Sequence, residues 1–197
     1  MTQLVLQKDK IAAIDLSLLN SFVEWNQRGF EYFNQEPGRE IYKLLAYLSC
    51  EIKCKKIIDI GTYMGFSSVA LAYDDSKEVH SFDVHNWFPD DDTVTATSKD
   101  NIEFHICDCV DELSGLLEDC RLVLIDIDHM GDGEAEILDV LRREGFQGYA
   151  ILDNINVNNQ MKELWASIKE DKLDISSVGH WVGTSIVCFG DYKVKLA

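Results

Sequence analysis

The sequence predicts an α/β fold in which a mostly parallel sheet carries helices on both faces. Three observations predict it. From Lys56 onward, short apolar runs alternate with amphipathic runs, the pattern of repeated strand and helix units. The run Ile57, Ile58, Asp59, Ile60 is apolar on both sides, as in a strand covered on both faces. It leads through Gly61, Thr62, Tyr63, Met64 and Gly65 into a helical pattern that begins at Phe66. Finally, Leu173 to Val178 and Thr184 to Phe189 flank Gly179, His180, Trp181, Val182 and Gly183, which reads as a hairpin at the sheet's edge.

In chain order, Leu16, Leu19, Val23, Phe30 and Phe33 predict a first helix ending before Gln35, Glu36, Pro37 and Gly38. Ile41, Leu44, Leu45 and Leu48 repeat at i, i+3, i+4 and i+7, so a second helix packs one face on the rest of the protein. Strands are then expected over 57–60, 78–83, 102–106, 122–126 and 149–153, with helices over 65–74, 109–118 and 133–144. Val157, Met161, Leu164, Trp165 and Ile168 mark one further amphipathic helix. The polar stretch from Asn86 to Asn101, with Pro89 and the acids Asp90 to Asp92, is too poor in apolar residues for a packed crossover helix and reads as an exposed loop. The length of 197 residues fits one domain over 1–197, with helices in 1–50 and an α/β core in 51–197.

The 18 basic and 35 acidic residues give a net charge of −17, which disfavours a nucleic-acid backbone or an anionic membrane as partner. No run approaches the ~20 apolar residues that span a bilayer. The first ten residues lack the apolar core of a signal peptide. The six cysteines (50, 54, 107, 109, 120 and 188) therefore read as reduced thiols of a cytoplasmic protein, and none has zinc-finger spacing. His80, His85 and His105 show no ligand spacing and read as structural or solvent-exposed.

The chemistry lies at strand ends, where open α/β sheets bind their ligands. Four predicted strands end in acid, at Asp59, Asp83, Asp126 and Asp153, and Asp108 closely follows another. One such acid can simply cap a helix or solvate a loop. Five along one rim are harder to assign to capping. Gly61 and Gly65 allow a sharp turn and close approach of a ligand, and the helix start after them offers free N–H groups. Asp83 is placed to accept from both hydroxyls of a ribose, and Asp108 to face an adenine edge. The spacing Asp-x-Gly-x-x-x-Gly differs from the Gly-x-Gly-x-x-Gly of nicotinamide and flavin binders, which disfavours a reductase.

The Asp59 to Ser68 segment, the acid closing the second strand, the phrase from Ile102 to Asp108 and the terminal hairpin together resemble class I S-adenosylmethionine-dependent methyltransferases over roughly residues 39–190. The resemblance implies a doubly wound, Rossmann-like sheet of seven strands, mostly parallel, with an antiparallel C-terminal hairpin strand. It implies S-adenosyl-L-methionine as cofactor, held around Asp59, Gly61, Thr62, Tyr63, Gly65, Ser67, Asp83, Asp108 and Asp126. The methionine half falls near Gly61, Tyr63 and Ser67, and the adenosine near Asp83 and Asp108.

Asp126, Ile127, Asp128 and His129, with Asp153 and Asn154, resemble the metal-binding motifs of catechol and caffeoyl-coenzyme-A O-methyltransferases. By position, Asp126, Asp153 and Asn154 are the implied ligands of a divalent ion. Two carboxylates and an amide carbonyl are the hard oxygen donors that magnesium prefers. The implied reaction is in-line methyl transfer to an acceptor hydroxyl that the ion activates and aligns. His129 stands where that family often has a lysine, either as the base for the hydroxyl proton or as a loop residue holding Asp126. Asp128 replaces the family's aromatic residue against adenine, so adenine must be held otherwise, with Trp87 and Phe88 as candidates. The Asp-x-Asp-His form followed by Gly and Glu also resembles metal-dependent sugar O-methyltransferases, which weakens the case for a catechol and leaves a small hydroxylated acceptor of open identity.

Three readings remain open beside this one. They are a metal-independent methyltransferase, a non-catalytic module that binds the cofactor, and helices before Lys56 that serve either as a lid or as a homodimer surface. A nucleic-acid methyltransferase is disfavoured for want of a basic groove. His180 and Trp181 sit in the hairpin turn, where they either border the acceptor pocket or, the more common case, serve as edge packing or loop anchors.

Overall fold

A computed structural model describes residues 1–23, 30–87 and 99–197. The main sheet has seven strands: β2 (Lys56–Ile60), β3 (Glu78–Asp83), β4 (Ile102–Ile106), β5 (Cys120–Ile125), β6 (Gly148–Asp153), β7 (Asp171–Asp174) and β8 (Thr184–Phe189). Their order is β4-β3-β2-β5-β6-β8-β7. The first five in that order are parallel, and β8 runs antiparallel between β6 and β7. This is the expected seven-stranded sheet with its antiparallel hairpin strand. Strand order reverses between β2 and β5, so the crevice beyond their carboxyl ends is where the fold accepts a ligand.

Alternate side chains of each strand enter different cores, as a doubly covered sheet requires. Ile57, Leu122, Leu124 and Ile151 pack with α3 (Arg39–Glu51) and α4 (Phe66–Leu71). Ile58, Ile60, Val123 and Ile125 pack on the opposite face with α5 (Leu113–Leu116), α6 (Asp132–Arg143) and α7 (Asn159–Ser167). The second predicted helix is α3, and its Ile41, Leu44, Leu45 and Leu48 are all buried.

The first predicted helix is corrected to separate short pieces. These are a 3₁₀ helix (Leu16–Phe22) and α2 (Phe30–Asn34), preceded by a further short helix, α1 (Lys8–Ala12); residues 24–29 of the predicted helix lie outside the described residues. Asp15 accepts from the Ser17 N–H at 3.0 Å and starts the 3₁₀ turn. Leu16 and Leu19, three apart and so on one side of a three-residue turn, are its buried residues. Ser17, Asn20 and Ser21 compete for backbone hydrogen bonds, and Val23 is extended (φ −130°, ψ 136°). The predicted strand from Leu173 to Val178 is Asp171–Asp174 instead, because Ile175 and Val178 turn into the core ahead of β8. A second sheet had no counterpart in the expected fold: β1 (Thr2–Leu6) pairs in parallel with β9 (Tyr192–Leu196), joining the two ends of the described chain. Leu4 and Leu6 are buried there.

No helix among the described residues is long and apolar enough to cross a membrane. The six cysteines are free.

Candidate active site

At the carboxyl ends of β2, β3, β5 and β6 lies a cavity of about 800 Å³, within the range that holds small ligands and cofactors. Among the described residues singled out for the cofactor or metal, all line it except Asp59 and Gly65.

Asp59 closes β2 and is wholly buried. Its Oδ2 accepts from three hydroxyls, Ser68 at 2.6 Å, Ser67 at 2.9 Å and Ser81 at 3.1 Å, while its Oδ1 has no partner. Burial pushes its carboxyl up to about 6, against the opposing pull of the three hydroxyls. Asp59 is thus the organiser of the turn, tying the end of β2 to the first turn of α4 and to β3. Ser81 also meets Thr62 Oγ1 at 2.6 Å.

Gly61 has φ +103°, and a Cβ there would stand 1.8 Å from the backbone oxygen of Asp126. The close approach that demands glycine is therefore made to the end of β5, not only to a ligand. Gly65 (φ +77°) starts α4, and its N–H donates to the Thr62 carbonyl at 2.7 Å.

On the β3 side, the Asp83 carboxylate collects three protein donors: the Tyr63 N–H at 3.0 Å, the His85 N–H at 2.9 Å and the Trp87 indole N–H at 3.1 Å. Of roughly four acceptor positions on a carboxylate, one is left, on Oδ1. The Trp87 ring stands edge-on to Tyr63, with centroids 5.2 Å apart. These two aromatics wall the cavity beside Asp83. Asp108 is exposed and accepts from the Val110 N–H at 3.0 Å. Phe88, the other residue considered against adenine, lies outside the described residues.

At the far end, the ends of β5 and β6 bring Asp126, His129, Asp153 and Asn154 together with a residue read mainly as edge packing, His180. His129 Nε2 lies 2.9 Å from Asn154 Nδ2 and 3.6 Å from Asp126 Oδ1. His180 Nδ1 lies 3.2 Å from Asp153 Oδ2 and 3.0 Å from Asn154 Oδ1. Asp153 Oδ1 accepts from Thr184 Oγ1 at 2.6 Å, across the register that pairs these two residues between β6 and β8. Enclosure in the cavity, then the negative charges of Asp153, Asp59 and Glu134, hold the Asp126 carboxyl well above its ordinary range. Tyr42, from α3, also faces this group, and desolvation with the charges of Asp126, Asp153 and Asp59 raises its hydroxyl. Among the described residues, the ion pairs of Asp126 and Asp153 are with imidazoles, and no lysine or arginine neutralises them. Such a cluster of mutually repelling acids fits a cation.

The loop that carries His129 is held by Glu134, whose side chain is almost wholly buried. It accepts from the His129 N–H and the Gly131 N–H, both at 2.9 Å. The Asn158 amide donates to the His129 carbonyl at 2.7 Å. Tyr63, His129 and Asn154 are the non-glycine residues with positive φ among the described residues (44°, 60° and 56°), and all three line the cavity. Backbone strain of order 1–3 kcal/mol per residue persists only where the surroundings impose it, and it gathers at functional sites.

His180, Thr184, Glu134 and Tyr42 are the site residues that sequence reasoning missed or misread. The signal for Thr184 and His180 was the antiparallel return of β8 beside β6, which sets Thr184 opposite Asp153 and the turn before it over the same rim.

No family model matches the chain, and no curated protein matches it. Solved structures do. The SAH-bound methyltransferase PaMTH1 from Podospora anserina is 15% identical, with a TM-score of 0.58 over 80% of this chain and 83% of that one. TomG from Streptomyces achromogenes, an O-methyltransferase involved in tomaymycin synthesis and solved with SAM, is 15% identical, with a TM-score of 0.56 over 89% of each chain. An O-methyltransferase from Bacillus cereus in complex with SAH is 14% identical, with a TM-score of 0.53 over 80% and 83%. At these identities the likeness is one of fold: the chain has the seven-stranded, Rossmann-like fold of these methyltransferases.

Proposed function

We propose that the chain is an S-adenosylmethionine-dependent O-methyltransferase acting on a small hydroxylated acceptor, with a divalent ion, magnesium by donor type, held by Asp126, Asp153 and Asn154. The observation that carries the reading is the position of the unneutralised acids Asp126 and Asp153 in the same cavity as the Asp59 to Ser67 turn. The residues fit both groups. Asp83, on the cavity wall, keeps one free acceptor position, and the acid and amide oxygens at the other end are hard donors.

When bound, the cofactor supplies an electrophilic methyl group and the ion supplies Lewis-acid polarisation of an acceptor oxygen. The chain's residues position and exclude. Tyr63 and Trp87 cover the β3 side, and the negative field of Asp126 and Asp153 attracts positive charge. His129 presents Nε2 toward the acids, where with Asn154 donating Nδ2 to it the ring carries its proton on Nδ1. Nε2 is the nitrogen that would accept a proton from an acceptor hydroxyl, once the Asn154 amide turns its Nδ2 away from the ring and its Oδ1 to the ligand role.

One observation favours a second reading, a methyltransferase without metal. His180 Nδ1 bridges Asp153 Oδ2 and Asn154 Oδ1, so an imidazole N–H already satisfies two oxygens assigned to the ion. Thermal shift with S-adenosylhomocysteine, with and without magnesium, separates the readings, followed by an acceptor screen with and without chelator. Stabilisation by the nucleoside with no effect of magnesium or chelator on turnover selects the metal-free enzyme. No stabilisation by the nucleoside removes both.

A further inference from the structure

Away from this cavity, β3 and β4 bring two imidazoles and a carboxylate to one point. The parallel register sets His80 opposite Glu103 and Phe82 opposite His105, so the four side chains share one face at the sheet's edge. His80 Nδ1 lies 3.2 Å from His105 Nε2 and 3.4 Å from Glu103 Oε2, and His105 Nε2 lies 3.9 Å from Glu103 Oε1. We propose that His80, Glu103 and His105 form a second cation site, of the His₂-carboxylate type, for a zinc-class transition metal. None of the three lines the cavity described above.

Geometry and donor chemistry support the assignment. Two nitrogen donors about 2.0–2.1 Å from a four-coordinate zinc stand roughly 3.3 Å apart at the tetrahedral angle. His80 Nδ1 already stands at that spacing from His105 Nε2 and from Glu103 Oε2, and only the 3.9 Å between His105 Nε2 and the Glu103 carboxylate is longer. Glu103, whose side chain is 66% exposed, is free to close the longer gap, while His80 and His105 are 12% and 25% exposed. The His105 ring is fixed face-on against buried Phe82, with centroids 4.4 Å apart and planes 12° from parallel. Imidazole nitrogens select zinc-class ions over magnesium, so the site differs in kind from the all-oxygen group at Asp126 and Asp153.

In the metal-bound tautomer His80 Nε2 carries the proton, and that buried atom has no partner among the described residues. Incomplete outer-sphere hydrogen bonding of this kind weakens metal sites roughly 10–100-fold, so affinity is set below that of a fully supported centre. The role that follows is structural. An ion here clamps β4, the edge strand of the seven, onto β3, and β4 leads directly to Asp108.

The test uses the full chain with Co²⁺ and Zn²⁺ salts alone, in the absence of cofactor. Co²⁺ should give the intense visible absorption of four-coordinate nitrogen and oxygen ligation, without a thiolate band. Glu103→Ala and His105→Gln should each weaken Zn²⁺ binding by roughly tenfold or more, and Asp153→Asn should leave it unchanged. Glu103 is exposed, so its variant keeps the test valid if His105→Gln unfolds. Absence of binding, a thiolate band, or equal affinity in wild type and Glu103→Ala overturns the site. Loss of binding in Asp153→Asn alone transfers the ion to the cavity and also overturns it. These results leave the methyltransferase reading untouched, because that reading is tested by the nucleoside and magnesium.

Discussion

His129 and Asn154, from loops after different strands, both adopt left-handed backbone and meet ring nitrogen to amide at 2.9 Å. Each is held by a further group: Glu134 accepts from the His129 N–H, and His180 contacts the Asn154 oxygen. Their contact makes them one unit, and residues in contact couple by about 0.5–3 kcal/mol. In urea denaturation, His129→Ala and Asn154→Ala should therefore be non-additive, the double variant losing less than the sum. Additivity within about 0.3 kcal/mol would sink this coupling.

Asp59 predicts how stability depends on pH. Its carboxyl titrates near pH 6 when folded, above the ordinary 3.8, so between those values the folded chain holds a proton that the unfolded chain has lost. Stability from this group is full below pH ~3.8 and is lost as pH rises through about 6, amounting to about 3 kcal/mol. Asp59→Asn, which cannot titrate, should show a shallower fall of unfolding free energy over that window. Urea midpoints of the ligand-free chain measured from pH 4 to 7 provide the check. Identical slopes in the two proteins would mean that another group carries the effect.

Gly61 permits a crossing of backbones and not merely a flexible turn. A Cβ 1.8 Å from the Asp126 carbonyl oxygen cannot be relieved by a side-chain rotation, and φ of +103° disfavours any residue with a Cβ. Gly61→Ala should cost roughly 4 kcal/mol or more, the range of severe backbone and packing defects. It should also abolish stabilisation by S-adenosylhomocysteine. A urea midpoint within error of wild type would contradict the close approach of β2 and β5.

The Asp59 to Ser68 segment was legible because its strand, turn and helix follow one another within a dozen residues, and glycine and acid spacing is local information. The strand-end acids were legible for the same reason, since a parallel sheet places all its carboxyl ends on one rim. Glu134 was not, because a glutamate at a helix start reads as an ordinary first-turn acid until the His129 and Gly131 amides are seen to point at it. His180 and Thr184 depend on β8 inserting antiparallel between β6 and β7, a pairing between segments about 30 residues apart that no local pattern encodes. The pairing of β1 with β9 is the extreme case, because five-residue half-polar strands at opposite chain ends carry no signal of each other. The broken first helix shows the opposite failure. Leu16 and Leu19 suit an α-helix and a 3₁₀ turn equally, and the hydrogen bond from Ser17 to Asp15 decided between them.

Asp83 and Trp87 give the sharpest test of the cofactor end. The indole N–H and the Tyr63 N–H both donate to Asp83 Oδ2, so the carboxylate fixes the aromatic wall as well as offering its remaining acceptor position. Trp87→Phe removes one hydrogen bond to a charged acceptor, worth about 1.5–3 kcal/mol at most and less at an exposed indole. It keeps the ring beside Tyr63. Asp83→Ala releases Tyr63, His85 and Trp87 together and removes the expected ribose acceptor. Calorimetry with S-adenosylhomocysteine should therefore show a small loss of affinity for Trp87→Phe and a loss of roughly a hundredfold for Asp83→Ala, the order expected when about 3 kcal/mol is removed. Equal, small effects of both variants would place the nucleoside away from Asp83, and with it the orientation assigned to the whole cavity.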